Sequence, residues 1–179
     1  MQELNNADGL TTEVDVTEMI AQLNNEQKCI FDSVTNTLLS NNKNKTTAVT
    51  APTGLAAFNV DGLTVHRLFQ LPVEHGGKPI YEELSDKVLK ILRTELKNVM
   101  LFIIDEVSMI SNVILTCIHL RLSEISNTKN TSDRWFGGKH IILMGDLLQL
   151  PPVIADSAYL TLKKDKVQKY LGSVGAVNL

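Results

Sequence analysis

Apolar positions along this chain recur first at helical spacing and then alternate between helical and strand-like spacing. Val16, Met19, Ile20 and Leu23 fall on one helical face, which predicts a short amphipathic helix. Ile30, Phe31, Val34 and Leu38 predict a second helix running from Asn24, and the Asn- and Lys-rich stretch 40–45 ends it. Short runs rich in Val, Ile, Leu, Phe and Thr at 46–50, 99–104 and 140–144 predict three buried strands. Segments 55–58 and 81–96 lie between the first two and 113–125 between the second and third, all with helical character. The expected class is therefore α/β, a parallel sheet flanked by helices. Residues 1–15 are polar and are expected to be disordered, which places the folded domain at 16–179. The polar runs 74–79 and 127–133 are expected as surface loops, and the chain holds no internal repeat.

With 179 residues, 44% of them hydrophobic, the chain is long enough to bury one substantial core. Its net charge of -3 provides no global basic field, so any contact with nucleic acid has to be local. Cys29 and Cys117 sit in apolar-periodic stretches without metal or redox spacing, which predicts reduced core thiols and an intracellular protein. The first twenty residues have no basic start and no apolar block, and no later run approaches a membrane span, so neither secretion nor a membrane partner is expected.

The chemistry gathers where the strands end. Ala51-Pro52-Thr53-Gly54 follows the first strand, Asp105-Glu106-Val107-Ser108-Met109 the second, and Gly145-Asp146-Leu147-Leu148-Gln149-Leu150-Pro151-Pro152 the third. Ligands of open α/β sheets bind at the carboxyl ends of the strands, so the three motifs are expected to meet in one crevice. An apolar strand delivering adjacent carboxylates, Asp105 and Glu106, suits an enzyme that holds magnesium with the Asp and orients an attacking water with the Glu. The plain alternative is a strand leaving the core into a charged turn. The planar amide of Gln149 can touch a terminal phosphate or the attacking water, or can simply be a turn residue before two prolines. Asn24 and Gln27 match a helix capping box, which competes with any base-reading role for Gln27.

At these residues the sequence resembles the Pif-type superfamily 1 DNA helicases, especially the helicase modules of Helitron transposons. The likeness rests on LNNEQ at 23–27, TAPTGLAAFNVDGLTVHRLFQLP at 50–72, LFIIDEVSMIS at 101–111 and FGGKHIILMGDLLQLPPV at 136–153, in that order. It implies a RecA-like P-loop NTPase domain that uses ATP and Mg2+ on single-stranded DNA, in repair, recombination or transposon replication. It also implies residence in the nucleus, with the mitochondrion as the alternative. By the same resemblance Gln27 corresponds to a glutamine that reads adenine, Asp105 to the magnesium-binding aspartate and Glu106 to the catalytic base. Gln149 corresponds to the sensor that couples hydrolysis to movement. Thr50, Pro52, Thr53, Gly54, Thr64 and His66 correspond to segments that run along single-stranded DNA. Thr53 and Gly54 could instead shape a strand-to-helix turn, and His66 could be a core histidine.

One departure from the family is large. Between LNNEQ and TAPTG such helicases carry Gly-x-x-x-x-Gly-Lys-Ser/Thr, the loop whose amides cradle the phosphates. Here the interval 28–49 contains no glycine. The Gly77-Lys78 and Gly138-Lys139 pairs have Pro72 and Asp133 where the first glycine belongs, and Pro79 and His140 follow them. The gap equals a strand, loop and helix, on the order of 30–40 residues. In the sheet that the resemblance implies, the missing strand lies beside the one ending at Gly145, so that strand is expected at an exposed apolar edge, prone to self-association. The chain is also expected to stop before a second motor domain and to show little ATPase and no unwinding alone. A non-catalytic domain that binds single-stranded nucleic acid, or a scaffold, is the competing reading.

Overall fold

The structure, a computed structural model, describes residues 16–40, 46–72, 80–128, 134–153 and 155–171. The chain divides into two compact units, Met1–Lys43 and Asn44–Leu179. The expectations for 1–15, 40–45 and 74–79, and the second half of the 127–133 loop, fall largely outside the described residues.

The first unit holds two helices, α1 (Val16–Ala21) and α2 (Asn25–Ser40). Asn24 and Gln27 form the reciprocal box: Gln27 N–H donates to Asn24 Oδ1 at 2.8 Å, and Asn24 N–H donates to Gln27 Oε1 at 3.0 Å. Two amides at the helix start are thereby satisfied. Cys29 corrects the sequence reading, because it is exposed and not a core thiol. Its neighbours Ile30 and Phe31, expected on a covered stripe, are exposed as well.

The second unit is built on a parallel sheet of β1 (Thr46–Ala51), β2 (Leu63–Thr64), β3 (Val99–Ile104) and β4 (His140–Leu143), in the order β2-β1-β3-β4. One register row crosses the sheet through Leu63, Thr50, Ile104 and Leu143. Parallel strands in register put all their carboxyl ends on one edge, as the alternation of strand and helix required. Among the described residues β4 pairs only with β3 and forms the sheet's edge, as expected for the strand ending at Gly145.

Helices α3 (Gly54–Asn59), α4 (Val65–Leu68), α5 (Asp86–Glu95) and α6 (Asn112–Ile125) connect and cover the strands. The core draws Phe102 and Ile104 from β3, Val65 and Phe69 from the α4 region, and Ile118 and Leu122 from α6. Phe69 and Phe102 pack with ring centroids 5.3 Å apart. α6 is buried on nearly every side, polar positions included. After β4 the chain returns to this core: Ser111 bridges to Ser157, and Leu171 is buried at the end of α7 (Lys164–Lys166) and the wide turn Val167–Leu171. The helix expected over 81–96 begins only at Asp86. Upstream of it, Tyr81 N–H is taken by Tyr170 O and Leu84 N–H by the Glu124 carboxylate, so tertiary acceptors replace helical ones. Among the described residues no helix is long and apolar enough to cross a membrane.

Candidate functional site

The three motifs are joined where the strands end. Asp105 N–H donates to Thr50 O at 2.8 Å, which ties the β3 terminus to β1. Met144 N–H donates to Ile104 O at 2.9 Å and Val107 N–H to Met144 O at 2.9 Å, which ties β3 to the segment leaving β4. Asp105 and Glu106 therefore sit between the first and third motifs, both half-buried. Glu106 caps a short turn over Val107–Met109 and adopts a left-handed backbone, φ 52° and ψ 45°. A non-glycine residue held there stores backbone strain and is turned away from the line of its strand.

The third motif folds into a compact turn. Asp146 accepts Leu148 N–H on Oδ1 at 2.9 Å and Gln149 N–H on its carbonyl at 3.0 Å, an Asx turn that leaves Gln149 exposed. The place of Asp146 two residues before the accepted amide is the local signal for such a turn.

The first motif is placed differently from its expected role. Thr50 is fully buried, its hydroxyl donates to Leu63 O at 2.6 Å, and its carbonyl is occupied by Asp105. Its side chain joins β1 to β2 and has no face for DNA, which corrects that assignment. Thr53 is the N-cap of α3, with Oγ1 accepting Ala56 N–H at 3.2 Å, so it and Gly54 do shape the strand-to-helix turn. Thr64 caps α4 in the same way through Arg67 N–H at 3.4 Å. Pro52 and His66 are half-buried, Gly54 is exposed, and burial holds the His66 imidazole below its ordinary range. Gln27 lies in the first unit, its amide oxygen committed to the cap.

The donor set available to a metal is small. Among the described residues no three His, Cys, Asp or Glu side chains come together closely enough to hold an ion by themselves. One or two hard carboxylates at a strand end do fit magnesium that shares its remaining positions with phosphate oxygens and water. The glycine-rich cradle for those phosphates is absent from the sequence.

Parallel sheet, strand-end carboxylates and the Gly-Asp-x-x-Gln turn define a RecA-like domain. The PIF1-like helicase family model matches residues 28–170, and the chain belongs to that family. It is 34% identical over 128 residues to the ATP-dependent DNA helicase PIF1 of Candida albicans, covering 70% of this chain and 13% of that protein. The corresponding helicase of Emericella nidulans is 37% identical over 108 residues, covering 59% and 14%. Solved Bacteroides Pif1 structures superpose on it. The form bound to single-stranded DNA does so with a TM-score of 0.52 and 35% identity over 71% of this chain and 26% of its own. The complex with ADP-AlF3 and single-stranded DNA gives 0.55 and 28% identity over 82% and 35%. The chain thus spans between 12% and 23% of the length of the curated relatives it matches.

Proposed function

We propose that this chain is part of the first motor domain of a Pif1-type ATP-dependent DNA helicase, in which ATP hydrolysis drives movement along single-stranded DNA and strand separation. The observation that supports the reading is the hydrogen-bonded junction of Thr50, Asp105, Val107 and Met144, which ties the Asp105–Glu106 segment to the chain leading into the Gln149 turn. In this reading Asp105 would hold Mg2+, Glu106 would take the proton of the attacking water, Gln149 would meet the terminal phosphate or that water, and Gln27 would meet adenine. Mg2+ would supply charge neutralisation for the phosphates. Pro52, Thr53, Gly54, Thr64 and His66 would face the DNA strand, through backbone and hydroxyl groups for the phosphates and through an uncharged imidazole able to stack on a base.

Without the phosphate loop, ATP binding loses most of its hydrogen bonds, and this chain alone is expected to turn over little ATP and to unwind nothing. Steady-state ATP hydrolysis with Mg2+ and single-stranded DNA, on this chain and on Glu106→Gln, tests the assignment. DNA-stimulated turnover that disappears in the variant supports the Asp105–Glu106 roles and corrects the expected inactivity. Turnover equal in both chains and above background would sink the role of Glu106. The absent cradle also favours a second reading, a domain that binds single-stranded nucleic acid without catalysis. Absence of salt-sensitive oligonucleotide binding at low ionic strength would remove that reading.

A further inference from the structure

Arg121 and Glu124 lie one turn apart on α6 and form an ion pair with only 1% and 2% of their side chains exposed. Burying two charges is costly unless every donor and acceptor finds a partner. Chain segments distant in sequence supply those partners. From Arg121, Nε donates to Phe69 O at 3.1 Å, Nη2 to Gln70 O at 3.4 Å and to Glu82 O at 2.9 Å, and Nη1 to the Glu124 carboxylate. Glu124 accepts the Tyr81 hydroxyl and Leu84 N–H, each at 2.9 Å. The guanidinium also stands 4.9 Å from the Tyr81 ring centroid.

These partners have a common geometry. Phe69 is the C-cap of α4, and Gln70 follows it with a positive φ of 48°. Arg121 thus grips the carbonyls at one end of the short helix whose other end carries Thr64 and His66, while Glu124 grips the segment entering α5. A packed apolar pair would fill the same volume with equal or better stability. The directed fork of a guanidinium adds a fixed position for the carbonyls of Phe69, Gln70 and Glu82.

We propose that Arg121 and Glu124 are a positioning pair, locking the Thr64–His66 element to the 80–84 segment so that a single strand of nucleic acid meets a preset surface. The proposal rests on the reading of that element as facing DNA. Neither side chain reaches the strand itself, because both are buried.

The test compares the full chain with Arg121→Met/Glu124→Leu, which removes both charges together, and with Arg121→Lys, which keeps the charge and loses the fork. Hydrogen exchange and the anisotropy of a labelled oligodeoxythymidine across a salt series are read on each. Expected are joint loss of amide protection over 64–71 and 80–84, retained protection over 46–51 and 99–104, and oligonucleotide binding weakened at least about fivefold. The salt slope should stay the same, since no phosphate contact is removed. Unchanged protection in both segments, or lost protection with unchanged affinity, overturns the positioning role. A reduced salt slope overturns it too, by marking Arg121 as a direct contact. If the unaltered chain shows no salt-sensitive binding, the nucleic-acid reading fails first and the positioning role with it. Should the double variant fail to fold, Arg121→Lys carries the same outcomes alone.

Discussion

Gly145, two residues past β4, presses its α-carbon against the turn that holds Glu106: a β-carbon there would stand 2.9 Å from Val107 N and 3.3 Å from Glu106 Cα. Its φ of +142° is a second obstacle to any side chain. This contact makes the turn after β3 and the turn after β4 one mechanical piece. Gly145→Ala is expected to destabilise the fold by about 1–3 kcal/mol, through strain and displacement of the Val107 amide. Gly54 provides the control, because a β-carbon there meets nothing within 4 Å at the first position of α3. Gly54→Ala should be neutral or stabilising by up to about 1 kcal/mol. Urea midpoints of the two variants check this, and equal effects at both glycines would contradict the close approach.

The two cysteines should react at different rates. Cys29 is exposed, whereas Cys117 is buried on α6 and its thiol is pushed up to about 12 by burial. Thiolate is the reactive form, so a maleimide should modify one thiol quickly in the native protein and the second only on unfolding. Peptide mapping identifies the sites. Early modification of Cys117 would mean that α6 opens without global unfolding.

Sequence reasoning succeeded where one stretch of chain decides its own structure. Val99–Ile104 is apolar on both faces, and that alone marks a covered parallel strand. Asn112–Ile125 likewise matches its periodicity, and Asn24 with Gln27 form the box their spacing announces. What escaped depends on distant partners. Thr50 reads as a polar strand end, and nothing local shows its hydroxyl turned inward onto Leu63 O. Nothing local to Arg121 and Glu124 announces their burial, because the carbonyls of 69–82 that surround Arg121 come from distant stretches of chain. β2 has only two residues, too few to carry a pattern.

Stability should fall on mild acidification, partly through His119. Its Nδ1 accepts Phe136 N–H at 2.9 Å, which requires that nitrogen to be unprotonated, and burial lowers its pKa from 6.5. The folded protein then binds fewer protons than the unfolded chain below that value. The stabilisation is therefore complete above about pH 6.5 and is lost as pH falls from there through the lower folded pKa. His66, lowered for the same reason, contributes with the same sign. His119→Asn keeps an acceptor near Phe136 and removes the titration, so its urea midpoint should depend less on pH between 7 and 5, in the range where His residues titrate. Trp135, the sole tryptophan, packs at a tilt against the His119 ring with centroids 5.1 Å apart and gives a fluorescence readout. Identical pH profiles for the two chains would exclude His119 as the source.

Self-association is expected at the β4 edge. Among the described residues the strand has neighbours on one side only, and the residues that follow it include exposed Met144, Leu147, Leu150 and Val153, with Leu148 at 96% exposure. Unpaired amides and carbonyls next to apolar side chains are a template for another chain. A charge placed at Leu148 should oppose that pairing without a cost to folding, because the side chain has almost nothing to lose by staying in water. Surface changes of this kind typically alter stability by less than about 0.5 kcal/mol. Leu148→Lys is accordingly expected to lower light scattering in concentrated samples while leaving the urea midpoint in place. Scattering that is unchanged by Leu148→Lys, yet abolished by changing exposed Ile30 on α2, would move the adhesive surface from the sheet edge to that helix.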